Sequence, residues 1–134
     1  GELRALFERY MSVFNEFERL PVPVIAAVHG LCFGGGFELA LRADVIFAAE
    51  SARFGHPEQT IAIVTLLGGI YRVAERAGRA RAMEWALTSE RVAASVMAQA
   101  WAFSSSASFC IVIPSSLDSE RSFAASSFAS FEAA

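Results

Sequence analysis

The chain contains no lysine. Its 11 basic residues are all arginine, scattered rather than clustered, and against 14 acids they leave a net charge of −3. That distribution has no basic stripe for a phosphate backbone, which excludes nucleic acid as a partner. Long uninterrupted apolar runs are missing as well. Although 54% of the residues are apolar and the mean hydropathy is +0.42, the longest runs, such as residues 61–67, stop well short of the roughly 20 residues that a membrane span needs. No membrane partner is expected, and the opening residues lack the charged and apolar regions of a secretory leader. Cysteine is scarce: Cys32 and Cys110 lie far apart in unlike contexts, which argues against a disulfide framework and for a reducing, cytoplasmic setting. No group of His, Cys, Asp and Glu has metal-ligand spacing, and no serine sits in a G-x-S-x-G elbow.

What is present begins with an amphipathic stretch. Leu3, Leu6, Phe7, Tyr10, Val13, Phe14, Phe17 and Leu20 recur at intervals of three and four between charged residues, which predicts a helix with this stripe as its core face. Pro21 ends it. Residues 22–28 form a β-branched and Ala run typical of a strand buried on both faces, and residues 44–49, DVIFAA, form another. Between them, His29-Gly30 and Gly34-Gly35-Gly36 flank a short loop that opens a helix over residues 37–42. Unpaired backbone N–H groups at such a start suit negative charge. Gly68-Gly69 opens a further helix that Gly78 ends, and residues 79–87 form the next. Alternating strands and helices place the chain in the α/β class.

Two acids bracket the glycine-rich unit. Glu38 follows the triple glycine, and Glu58 stands twenty residues on in a Gly-His-Pro-Glu turn. One site has room for both. In a purely structural reading, Glu38 is an acid favoured near a helix N-terminus, Glu58 a solvated turn residue, and the glycines a tight strand-to-helix turn. His29, at a strand end, reads as a partner for backbone groups rather than a base.

Four elements in order, PVIAAVHG from Pro23, GGGFELAL from Gly34, DVIFAAESARFGHPE from Asp44 and GGIYRVAERAGRARAMEWALTSERVAA from Gly68, make the sequence similar to the crotonase family of enoyl-CoA hydratases and isomerases. The resemblance covers residues 21–101, about three fifths of the chain. It implies a crotonase-like spiral of ββα turns, here incomplete with the N-terminal part missing, because family members should be roughly twice as long. It also implies hydration of an enoyl-CoA thioester, with Glu38 and Glu58 catalytic, Gly35 donating to the thioester oxygen in an oxyanion hole, and Gly34, Gly36, Phe37, His56, Pro57 and Leu66 shaping the substrate pocket. Cofactors are not implied, since CoA arrives with the substrate. The acyl-CoA is the expected partner, and the whole parent is expected to form a trimer or hexamer.

The resemblance places the second oxyanion donor upstream of Gly1, and loss of one such donor typically costs on the order of 10²–10³ in rate. A feeble or inert polypeptide that keeps only a structural or oligomerising role is therefore an alternative, and enoyl-CoA isomerisation is another. Departures from the family pattern are Thr65-Leu66-Leu67, which stands where a Pro-Gly-Ala type loop meets the acyl group, and the bulk of Phe37, which would narrow the pocket.

Residues 1–101 thus read as a partial crotonase-like domain and residues 102–134 as a divergent, poorly ordered tail. That tail holds eleven of the fifteen serines and five phenylalanines, with a strand-like pattern only at residues 109–113. A lysine-free, Ala/Arg/Gly-rich composition implies GC-rich codons, in which Ala or Val codons read out of frame commonly yield Ser, so a frame shift near Trp101 is expected. Sequencing the coding DNA checks this: an alternative frame beyond Trp101 should encode an amphipathic, family-like helix, and two frames without one would contradict it.

Overall fold

The computed structural model describes residues 1–102 and 109–114. Two small sheets are stacked along the chain with helices around them. The first joins β1 (Ile25–Val28), β3 (Val45–Ala49) and β6 (Phe109–Ile113) in the order β1-β3-β6, all parallel. The second joins β2 (Leu31–Phe33), β4 (Arg53–Gly55) and β5 (Val92–Ala93), with β2 parallel and β5 antiparallel to β4. Two strands of the first sheet thus lead, after a short turn, into strands of the second: β1 into β2, and β3 into β4. This repeated strand–turn–strand step, completed by a helix, is the ββα turn expected of a spiral.

The helices are α1 (Glu2–Glu18), α2 (Gly35–Ala40), α3 (Gly69–Thr88) and α4 (Ala94–Ala102), with a 3₁₀ turn at Pro57–Ile61. Gly78 has φ +82° and ψ 158° inside α3 and divides it into two helical segments, as its position in the sequence suggested. The strand at Phe109–Ile113 coincides with the only strand-like pattern of the Ser-rich tail. The rest of that tail, and with it the expectation of poor order, lies outside the described residues.

The core sits between the sheets and helices α2, α3 and α4, where Phe37, Leu41, Ile46, Phe54, Val73, Trp85 and Met97 are fully buried. Arg76, also buried, donates to the Ala43 carbonyl at 3.2 Å and lies over the Trp101 ring, so a charge is accommodated by a carbonyl and a π-face.

The expectation for α1 needs correction. Its stripe does not form a core face: α1 has no buried residue, and Leu3, Leu6, Tyr10 and Val13 are exposed. The helix is anchored at its C-terminal end instead. Asn15 and Glu18 accept from Arg42 at 3.1 and 2.9 Å, Glu18 also accepts from Arg72, and Arg42 lies over the Phe14 ring. Amphipathic periodicity identified the helix, but periodicity alone does not state what covers the apolar side.

This distribution sets two contrasting expectations for stability. Phe54→Ala removes a fully buried ring and should cost about 3–5 kcal/mol. Leu6→Ser, on the exposed stripe, should change stability by no more than about 0.5 kcal/mol. Urea unfolding followed by tryptophan fluorescence measures both, and comparable losses would contradict the placement of the core.

Candidate active site

The site is assembled where α2, the Gly55–Glu58 turn and the start of α3 converge. Gly34 precedes α2 with φ +55° and ψ −130°, a conformation open to glycine, and its N–H donates to the Gly55 carbonyl at 3.1 Å. A Cβ on Gly34 would stand 3.2 Å from Oε1 of Glu58, so the backbone approaches that carboxyl closely. Gly35 and Gly36 follow as the first two residues of α2. Their N–H groups precede the first helical hydrogen bond, which runs from Glu38 N–H to the Gly34 carbonyl. Both glycines are exposed, and a Cβ on either would meet nothing within 4 Å.

Glu38 is 3% exposed. Its Oε1 accepts from the N–H groups of Leu67 and Gly69, each at 2.9 Å, so the carboxyl of α2 caps the start of α3. Gly69 is required there by proximity. A Cβ would come within 2.5 Å of Cε1 of His56 and 2.8 Å of Cγ of Glu38. The Leu67 peptide is also held from its other side, because Arg42 donates to its carbonyl at 2.8 Å. Arg42, just past the end of α2, escaped the sequence reading, although its spacing of four from Glu38 within the expected helix over residues 37–42 was an available signal.

Glu58 stands in the first turn of the 3₁₀ segment behind Pro57, with its side chain 12% exposed. Burial raises its pKa above the ordinary carboxyl value, and the charge of Glu38 adds to the rise. The two acids therefore sense each other. His56 is 2% exposed, and burial pushes its pKa down to about 4, leaving a neutral imidazole at neutral pH. Its Nδ1 is 3.9 Å from Oε2 of Glu58. His56 and Glu58 open on a cavity of about 230 Å³ whose other walls include Ile63, Val64, Thr65, Ile70 and Met83.

Of the residues expected to shape the pocket, His56 lines this cavity, Pro57 starts the turn that carries Glu58, and Gly34 abuts Glu58. Three fall elsewhere. Phe37 belongs to the core, fully buried with its ring 5.4 Å from Phe54 and 4.8 Å from His56, and reaches the site only through the histidine. It is not among the residues that line the cavity beside Glu58. Leu66 is 52% exposed. Gly36 borders a separate open groove of about 360 Å³ along β1 and β2, together with His29. Among the described helices none is long and apolar enough to cross a membrane.

The chain matches the family model described as enoyl-CoA hydratase/isomerase over residues 4–101. It is 53% identical over 75 residues to the mevalonyl-coenzyme A hydratase of Beauveria bassiana, a match covering 56% of this chain and 27% of that protein. It is 39% identical over 92 residues to the mitochondrial enoyl-CoA hydratase of Pongo abelii, covering 69% of this chain and 32% of that one. Among solved structures, the enoyl-CoA hydratase of Bacillus anthracis superposes with a TM-score of 0.74 at 34% identity, covering 90% of this chain and 45% of that chain. The chain thus spans about a third or less of these two curated relatives and under half of the solved structure.

Burial of a neutral His56 sets a pH dependence. Its folded pKa of about 4 lies below its ordinary 6.5, so the unfolded chain binds more protons between those values. The resulting stability is complete above pH 6.5 and is lost as pH falls towards 4, by on the order of 3 kcal/mol. Glu58 acts in the opposite sense: its raised pKa favours the fold below its ordinary 4.5 and loses that effect as pH rises through the folded value. Urea midpoints measured from pH 7 to 4.5 should fall on the acid side in the wild type and fall less in His56→Leu. Parallel curves would contradict a buried neutral imidazole.

Proposed function

The chain belongs to the enoyl-CoA hydratase/isomerase family, and from that premise we propose that its site serves the addition of water across the double bond of an enoyl-CoA thioester. The observation that carries this reading is the electrostatic influence of a buried acid, Glu38, on a half-buried one, Glu58. Glu58 has a raised pKa, lies against Gly34, and is influenced by Glu38.

In the proposed step the thioester carbonyl oxygen accepts from the Gly35 N–H. Glu38 orients a water and takes its proton as the water oxygen bonds to the β-carbon. The π electrons of the double bond move to the α-carbon and carbonyl, forming an enolate whose oxygen carries charge. An N–H fixed at a helix start meets that charge without reorganising solvent. Glu58, which keeps its proton more readily than an ordinary carboxyl, delivers it to the α-carbon as the carbonyl re-forms. Neutral His56 holds the edge of the pocket and leaves proton transfer to the acids. The step calls for no metal or redox group, because N–H groups meet the charge and carboxyls move the protons.

Hydration of crotonyl-CoA, followed as loss of enoyl absorbance, tests the proposal. Turnover is expected, and Glu58→Gln should lower it by about 10²–10⁴. A folded sample without turnover would leave the structural, inactive reading standing. Activity that survives Glu38→Gln would contradict hydration by a two-acid mechanism.

A further inference from the structure

The guanidinium of Arg42 divides its fork between two elements. Nη1 donates to Asn15 and Glu18 of α1, at 3.1 and 2.9 Å, while Nη2 donates to the Leu67 carbonyl at 2.8 Å. The side chain is wholly enclosed and Nε has no hydrogen-bond partner among the described residues, so this placement carries a desolvation cost. Burial and the nearby Arg72 draw its pKa below the usual arginine range, and the charges of Glu18 and Glu38 push the other way. Docking of α1 uses Nη1 alone, and Nη2 serves the site. The N–H groups of Leu67 and Gly69 hold Oε1 of Glu38, while the carbonyls of Leu67 and Gly68 accept from Arg42 and, at 3.4 Å, from Arg72. Both arginines are tied to Glu18. Residues 67–69 are therefore pinned between an acid and an arginine pair, and the shorter, charge-assisted contact from Arg42 is the stronger of the two pins.

We propose that Arg42 is a positioning residue for the reaction: with the arm of its fork that α1 does not use, it holds the Leu67 carbonyl and so fixes the two N–H groups that orient the Glu38 carboxyl. The inference rests on the reading of Glu38 as the acid that directs the attacking water, and adds what keeps that acid in place. Arg42 acts through the backbone of residues 67–69 and not on the reacting atoms. A base displaced by a fraction of an ångström loses rate more than affinity, because the misalignment is felt where water meets the β-carbon. The planar fork matters as well as the charge. A lysine ammonium is a single nitrogen and cannot hold α1 and the Leu67 carbonyl in the geometry that two guanidinium nitrogens provide.

Amide NMR and crotonyl-CoA kinetics on the 134-residue chain, as wild type, Arg42→Met and Arg42→Lys, test this. In both variants the Leu67 and Gly69 amide protons should shift upfield and exchange with solvent about ten-fold faster, while the amide of Val73, buried further along α3, keeps its wild-type rate. The kcat should fall about ten-fold with KM changed by less than about two-fold. A role confined to anchoring α1 would leave both amides and kcat at wild-type values, and a role of charge alone would restore them in Arg42→Lys. Either result overturns the inference, as does faster exchange that extends to Val73 or a rise in KM at unchanged kcat. Should Arg42→Met not fold, Arg42→Lys decides by the same readouts. The hydratase reading is judged separately by the wild type. A wild type that hydrates crotonyl-CoA, with amides and kcat indifferent to Arg42, keeps that reading and loses this one. A wild type without turnover loses the hydratase reading, and the two amides then decide whether Arg42 fixes the Glu38 carboxyl.

Discussion

A single carboxyl oxygen ties the site to the fold. Oε1 of Glu38 receives two backbone N–H groups from the start of α3, so the short helix after the triple glycine and the long helix beyond the Glu58 turn are joined through one buried side chain. Amides at a helix start have no partner of their own, and a charge-assisted acceptor is among the stronger ways to satisfy them. Arg42 extends the connection by holding the Leu67 carbonyl and reaching Asn15 and Glu18 on α1. Position and chemistry at Glu38 are thereby linked: whatever orients the start of α3 also orients the acid.

The surroundings of that link are set by close approach. Gly69 leaves room for His56 and Glu38, and Gly34 leaves room for Glu58. Gly35 and Gly36, in contrast, are exposed, with nothing within 4 Å of a Cβ placed on either. Removing water from around Glu58 raises its pKa, as the proposed proton delivery requires. The same desolvation keeps His56 neutral.

Much of this was legible in the residues. The glycine triplet, the two acids and the spacing of strand and helix placed β1, α2, β3 and α3, because these features arise from local backbone demands: positive φ, unpaired amides and continuous β-branched runs. The break in α3 at Gly78 was legible for the same reason. Sheet partnership was not, since the pairing of β3 with a strand at Phe109–Ile113 joins segments some sixty residues apart. The inward turn of Phe37 was misread because a residue beside a motif was assumed to share its face, while a helix rotates each neighbour by about 100°. The role of α1 was misread because an apolar stripe says that cover is needed and not where it is found. Arg42 was overlooked because a buried guanidinium becomes meaningful only with its partners, which come from α1 and the Leu67 peptide.

The account depends on Glu38 and Glu58 acting on one another across a shared site. ¹³C-carboxyl NMR titration of Glu58, in the wild type and in Glu38→Gln, tests that dependence most directly. The expected result is a Glu58 pKa above the ordinary 4.5 that moves down when the Glu38 charge is removed. A Glu58 that titrates at its ordinary value in both proteins would contradict the shared site.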